Sequence, residues 1–353
     1  MAGEAATGGT TMRSYRLEGP GLAGGIVPRE EPVPTPKPTD VLVRVRAVSL
    51  NRRDALILQR RYALPSVPGV VPVSDGAGEV VAVGEKVTRF AVGDRVVGAY
   101  WPRWHDGRLR PELLDQFGCT LDGMLAEYAL LDQQWAVPVP DHLSWEEAAC
   151  LPCAGVTAWN AVVGGEPLRP GQTVLTLGTG SVSLFTLAFA KLLGCRVIST
   201  TSGDARAARL TELGADHVVD HTATPGWGRA VRDLTGGRGV DLVVETVGPA
   251  TIEQSVRASA LYGQIVLLST ASGSADGRGS GIEISNEAYA SSLVTIRRLF
   301  VGSRADHEAM NQAIGAHRLR PVIDRVFGFA DAHEAFAHYL DGRPFGKVII
   351  RID

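Results

Sequence analysis

The 353-residue chain predicts an α/β fold in two parts. Residues 12 to about 136 read as β-rich. From about 138 onward strands and helices alternate, the pattern of a parallel sheet covered on both faces. At Val174–Ser183 a short apolar strand runs into Gly-x-Gly and then into an apolar helix, Leu184–Leu193. That is the local context of a dinucleotide-binding turn.

The elements follow in order. Met1–Thr11 is small and polar, without the apolar core of a secretory signal. It reads as a disordered extension, with folded sequence from Met12. Pro32, Pro34, Pro36 and Pro38 make an extended segment with few backbone donors. Asp40–Val48 alternates apolar and polar, as a half-buried strand does. Glu79–Gly84 and Asp94–Gly98 are further strands between glycine turns, and Gly76 and Gly78 allow two backbones to approach. Residues 100–122 form a long insertion with Tyr100, Trp101, Trp104 and His105. It reads either as a cleft wall or as a surface excursion with its own packing. Strands are expected at 174–177, 196–200, 217–219, 241–244, 263–268 and 295–301, with helices at 204–213 and 250–258 among them. Ser272–Gly281 is a Gly/Ser-rich loop, expected to be mobile. From Pro321 two strands, 322–327 and 347–352, flank a helix at 331–340 and rejoin the first part.

Composition narrows the function. The length suits two domains, and 45% hydrophobic residues suffice for sizeable cores. A net charge of −3 gives no electrostatic case for nucleic acid or an anionic membrane. No apolar run reaches the length of a membrane span. Four cysteines in so long a chain do not suggest a disulfide framework. A cytoplasmic protein with a small-molecule substrate is the default expectation.

The turn carries the first chemistry. Gly178 permits the tight bend. Gly180, lacking a Cβ, lets a pyrophosphate approach, and the N–H groups of the new helix at Ser181 and Val182 face the anion. The third glycine of the pattern is replaced by Ser183, small enough to keep helix and strand close. An NAD site places Asp or Glu about 20 residues beyond the first glycine, at the end of the second strand. Here that strand, Cys195–Thr201, ends in Thr200, Thr201 and Ser202, and no carboxylate appears until Asp204. Arg206 and Arg209 follow. Guanidinium donors without an opposing anion suit a 2′-phosphate, so NADP(H) is expected, with Thr201, Ser202 and Arg206 at the phosphate. The alternative is that both arginines are solvated helix charges. Ligands sit at strand carboxyl ends, so Gly248, Ser269, Phe300 and Val301 are expected to flank adenine or nicotinamide.

Further runs resemble the medium-chain dehydrogenase/reductase superfamily, in its zinc-independent quinone oxidoreductase-like and alcohol dehydrogenase-like branch. They are Ala47–Asp54, Pro68-Gly69 with Ser74–Val80, Val92–Val96, Leu151–Trp159, the turn itself, Leu213–Asp216 and Phe345–Val348. The resemblance implies a GroES-like β-barrel catalytic domain (12–136 and 303–353), a Rossmann domain (137–302) and an active cleft between them. It also implies a homodimer or homotetramer, and it assigns Thr157, Phe345 and Lys347 to the cofactor. For Lys347 a pair with a surface carboxylate is the equal alternative.

The same resemblance bears on metal. Zinc-dependent relatives carry Cys where this chain has Asn51 and His where it has Ser74, and their third ligand matches Cys153. One thiolate cannot hold a catalytic zinc, and residues 90–120 contain a single cysteine, Cys119, so no metal is expected. Cys150 and Cys153 lie in an apolar run and read as buried small hydrophobes.

Without a Lewis acid, hydride transfer favours an acceptor that delocalises its own charge, such as a quinone, an enone or another conjugated alkene or aldehyde. The developing anion needs a hydrogen-bond donor. Asn51 is the first candidate, with a turn residue as the plain alternative. Asp54 either orients Asn51 or Arg53 or is a helix N-terminal carboxylate. Tyr62 either donates a proton or packs beneath Pro65 and Pro68. His105 titrates near neutrality but reads as a loop histidine, and Ser74 and Asp75 take up the vacated metal position. The expected activity is an NADPH-dependent reductase. Competing readings are a metal-free alcohol dehydrogenase or natural-product reductase, and a nucleotide-binding protein with little catalysis.

Overall fold

The structure is a computed structural model and describes residues 11–19, 21, 25–269 and 281–353. The Gly/Ser-rich loop lies outside these residues except for Gly281. The N-terminal extension does too, except that Thr11 opens a strand instead.

The chain divides into two compact units, one built from residues up to Val156 and from Gly302 onward, the other from Thr157–Val301. Residues 137–156, expected in the second part, belong to the first. The helix Trp145–Ala148 packs on its strands, and the Cys153 N–H donates to Asp75 Oδ2 at 3.0 Å.

In the first unit β1 (Thr11–Leu17) and β2 (Ile26–Pro32) form an antiparallel pair. A larger sheet takes β3 (Asp40–Ser49), β4 (Asp75–Val83), β5 (Arg95–Gly98), β6 (Tyr128–Asp132) and β7 (Ala136–Pro138) from the N-terminal part. It takes β14 (Ile323–Gly328) and β15 (Lys347–Arg351) from the C-terminal part. Its order is β14-β15-β3-β4-β5-β7, with β6 also pairing β3. Strand β3 is not half-buried as its alternation suggests. Leu42 and Ala47 are buried along with Val41, Val43, Val45 and Val48, because β3 lies inside the sheet and is packed by the helix Trp145–Ala148. Gly78 faces Val45 on β3, and a Cβ there would stand 2.2 Å from the Arg44 carbonyl oxygen. Only glycine permits that approach.

The second unit is a parallel sheet of β8 (Thr173–Leu177), β9 (Arg196–Thr201), β10 (His217–Asp220), β11 (Val240–Glu245), β12 (Ser259–Leu267) and β13 (Thr295–Arg298). The order is β10-β9-β8-β11-β12-β13, the 3-2-1-4-5-6 arrangement of dinucleotide-binding sheets. Leu175, Leu177, Ile198, Val243 and Ile265 fill its core. Strand order reverses between β8 and β11, where such sheets bind ligands, and the Gly-x-Gly turn leaves β8 at that point. Among the described residues no helix is long and apolar enough to cross a membrane.

Candidate active site

The turn is built as a cradle. Gly178 has φ +74°, a conformation glycine adopts without strain. A Cβ on Gly178 or Gly180 would meet no atom within 4 Å, so the space over the turn is open. Gly180 caps the helix Ser181–Leu192 without a side chain, leaving the first-turn N–H groups at Ser181 and Val182 for an anion. Ser183 Oγ donates to the Leu177 carbonyl at 2.7 Å. Its hydroxyl is therefore bound inside the unit, and helix and strand stay close without the third glycine. Thr201 is buried at the end of β9 and Ser202 is half-buried. Arg206 reaches back to donate to Thr179 Oγ1 at 2.8 Å. This arrangement fits a bound dinucleotide: glycines under a pyrophosphate, helix N–H groups on it, and a guanidinium beside the turn.

The later strand ends are partly brought together. The Gly248 N–H donates to Glu245 Oε1 at 2.9 Å, and a Cβ on Gly248 would stand 2.3 Å from the Ser269 carbonyl oxygen. Gly248 and Ser269 therefore abut. Val301 is buried at φ +61°, a strained backbone for a β-branched residue, and its carbonyl accepts from Asn160 Nδ2 at 3.0 Å. Phe300 beside it is exposed and Thr157 is buried. Glu245 is wholly buried and bound by Val247, Gly248, Thr251 and Ser255, so it holds the frame.

In the first unit the strand register builds a buried polar cluster. Strand β15 pairs β3 antiparallel with Ile349 opposite Ser49, and two residues further along the same register Lys347 meets Asn51. Asn51 is the N-cap of the helix Arg52–Leu58. Lys347 Nζ donates to Asn51 Oδ1 at 2.7 Å and to the Leu50 carbonyl at 3.0 Å. Asp75 Oδ2 lies 3.8 Å from the same nitrogen. Lys347 is 1% exposed, so its amine is held inside the first unit and not on a surface carboxylate, the alternative the sequence offered. Phe345, also expected at the cofactor, is buried, and its N–H donates to Asp324 Oδ1 at 2.9 Å.

Asp54 contacts both Asn51 and Arg53. Its Oδ2 accepts the Asn51 N–H at 2.8 Å, and its Oδ1 lies 3.3 Å from Arg53 Nη1. Burial pushes its carboxyl up to about 6, against the pull of Arg53. The Arg53 guanidinium stacks between the Tyr62 and Tyr100 rings, 5.3 Å from each centroid, a cation–π arrangement. Gln116 Oε1 accepts from both Arg53 Nη2 (3.0 Å) and the Tyr62 hydroxyl (2.9 Å), and the two tyrosine hydroxyls are 3.1 Å apart. The Tyr62 proton is thus committed to Gln116. Gln116 was not singled out in the sequence; Tyr100 was named only as part of the insertion and Arg53 only as a residue Asp54 could orient. Gln116 stands 63 residues from Arg53 in the insertion, and no local pattern marks it. Tyr100, Trp101 and Trp104 are buried, while His105 is exposed.

The positions that match zinc ligands do not fit zinc. Asn51 is a neutral amide facing an ammonium. Ser74 Oγ donates to Asp75 Oδ1 at 2.7 Å. Cys153 is the one thiol among these positions, and burial raises it well above its usual range; a single thiolate cannot hold a catalytic zinc. Among the described residues no three His, Cys, Asp or Glu side chains are grouped to hold a metal ion.

A dinucleotide sheet joined to a separate β-rich unit defines a two-domain, nicotinamide-dependent dehydrogenase or reductase. The chain belongs to the medium-chain dehydrogenase/reductase superfamily and is an oxidoreductase of that kind. The family model of the alcohol dehydrogenase GroES-like domain matches residues 37–141, and that of zinc-binding dehydrogenases matches 181–316. The chain is 37% identical to a zinc-type alcohol dehydrogenase-like protein of Schizosaccharomyces pombe, over 92% of this chain and 95% of that one. It is 31% identical to a quinone oxidoreductase of Pseudomonas aeruginosa, over 89% and 92%. The solved structure of an NAD-dependent alcohol dehydrogenase superposes with a TM-score of 0.85 at 31% identity, over 97% of this chain and all of that one.

Proposed function

We propose that this protein is an NADPH-dependent reductase that delivers hydride to a conjugated acceptor, a quinone, an enone or an activated alkene or aldehyde, without a catalytic metal. The observation that carries the cofactor choice is Arg206 on Thr179 Oγ1, beside a β9 end that offers Thr201 and Ser202 in place of a carboxylate. When bound, the dinucleotide supplies the hydride. The chain's own part is to grip it through Gly178, Gly180 and the N–H groups at Ser181 and Val182, and to meet the negative charge that develops on the acceptor. Asn51 meets that charge with an amide N–H, which donates without titrating. Asp54 supports it by fixing the Asn51 backbone, and half-buried Tyr62 joins the same network through Arg53.

Fluorescence titration with NADPH and NADH tests the cofactor choice. Tight NADPH and much weaker NADH binding is expected; equal affinities remove the 2′-phosphate reading. Turnover on a panel of quinones and enones, with and without a chelator, tests the acceptor class and the metal. Likeness to an NAD-dependent alcohol dehydrogenase favours a second reading, a metal-free alcohol dehydrogenase. Oxidation of simple alcohols with no reduction of conjugated carbonyls would establish that one. Binding of neither nucleotide would favour a protein with little catalysis.

A further inference from the structure

Positions 51, 74 and 153, which match the ligand positions of zinc-dependent relatives, are joined here through a different cation. Lys347 Nζ holds Asn51 Oδ1 at 2.7 Å and lies 3.8 Å from Asp75 Oδ2. Asp75 in turn accepts the Cys153 N–H and the Ser74 hydroxyl. Lys347 and Asp75 are 1% and 0% exposed. We infer that Lys347 is a positioning residue for Asn51, a fixed internal ammonium that pins the amide oxygen and turns the amide N–H toward the acceptor. This rests on the reading that Asn51 meets the acceptor's developing charge.

The physical argument is one of orientation. An ammonium carries donors only, so it accepts one of the two amide rotamers and opposes the flipped one, in which an N–H would face it. One Asn51 Nδ2 hydrogen leans toward the Ser49 carbonyl at 3.5 Å, too long for a firm bond. The other has no partner among the described residues. With the oxygen engaged by a cation, the amide presents a donor, which a growing oxyanion needs, rather than a lone pair, which would repel it. The chain has four lysines, Lys37, Lys86, Lys191 and Lys347, among its 35 basic residues. A compact ammonium fits between three oxygens where a planar guanidinium would not.

A double-mutant cycle tests this. Asn51→Ala, Lys347→Met and the double variant are assayed with NADPH and 1,4-benzoquinone or cyclohexenone, whichever the wild type reduces faster. Lys347→Met is expected to lower kcat at least tenfold with the NADPH Kd unchanged. In the Asn51→Ala background it is expected to change kcat less than twofold. Losses that multiply overturn the inference and leave Asn51 its role. A loss in NADPH affinity instead of kcat overturns it in favour of cofactor contact. If Asn51→Ala alone leaves kcat intact, the reading of Asn51 falls and this inference with it. Should Lys347→Met not fold, 15N NMR of wild-type protein labelled at lysine decides. One of four ammonium signals is expected to exchange slowly with water at neutral pH; no protected ammonium overturns the inference.

Discussion

The Arg206 guanidinium donates to Thr179 Oγ1, the residue between Gly178 and Gly180, across 2.8 Å. A side chain on the helix after β9 is thereby fixed beside the turn at the end of β8. A charged hydrogen bond to a phosphate contributes about 1.5–3 kcal/mol. Arg206→Ala is therefore expected to raise the NADPH Kd roughly 10- to 100-fold, while the NADH Kd shifts no more than about threefold. Titration by cofactor fluorescence reads both. Parallel weakening of the two nucleotides would mean that Arg206 only braces the turn.

Ser183 stands where such turns carry a third glycine, and its hydroxyl is buried on the Leu177 carbonyl. Removing it leaves that carbonyl with the Thr246 hydroxyl at 3.1 Å. Ser183→Ala is expected to cost about 1 kcal/mol of stability, with NADPH affinity unchanged. Ser183→Val adds bulk at a closely packed contact and is expected to cost more. A large drop in NADPH affinity for Ser183→Ala would show that the hydroxyl serves the cofactor.

What was legible in the sequence was local. The Gly-x-Gly turn, the strand–helix alternation and the missing carboxylate after β9 are short-range patterns, and the structure sets them on the expected parallel sheet. The long-range partners of Asn51 and Arg53 were not legible. Lys347 meets Asn51 only because β15 pairs β3 in one particular register, and register is set by burial across the sheet, not by neighbours in sequence. The Tyr62–Gln116–Arg53 link crosses the insertion, whose path no periodicity describes. Lys347, near the C-terminus, therefore reads equally as a cofactor contact or a surface ion pair until the sheet is known.

Asp54 gives a pH dependence with a definite sign. Its carboxyl holds its proton up to about 6 in the fold, and up to about 4 in the unfolded chain. Between those values the native state binds more protons, so this group's contribution is fully present below about pH 4 and is lost as pH rises through 6. The two-unit shift corresponds to about 3 kcal/mol. From pH 4 to 7 the wild type is expected to lose roughly that much stability relative to Asp54→Asn, which keeps an acceptor for the Asn51 N–H. Urea unfolding of both proteins across this range measures it. A constant difference between them would mean that Asp54 is ionised throughout.

Gly178 and Gly248 separate stability from binding. Both have positive φ, +74° and +100°, so alanine is strained at either position by about 1–2 kcal/mol. At Gly178 a Cβ meets no atom within 4 Å, and the added methyl occupies only the space over the turn. Gly178→Ala is expected to unfold within about 2 kcal/mol of the wild type yet to bind NADPH at least tenfold more weakly, because the methyl stands where the pyrophosphate approaches. At Gly248 the methyl would sit 2.3 Å from the Ser269 carbonyl oxygen, so the ends of β11 and β12 must move apart. Gly248→Ala is expected to be the less stable protein, by about 2 kcal/mol of additional overpacking strain. Its NADPH affinity should fall only as far as the displaced strand ends touch the cofactor. Melting temperature and NADPH titration on the two variants decide the matter. If Gly178→Ala binds NADPH as the wild type does, the pyrophosphate does not rest on this turn, and the assignment of Gly180, Ser181 and Val182 falls with it.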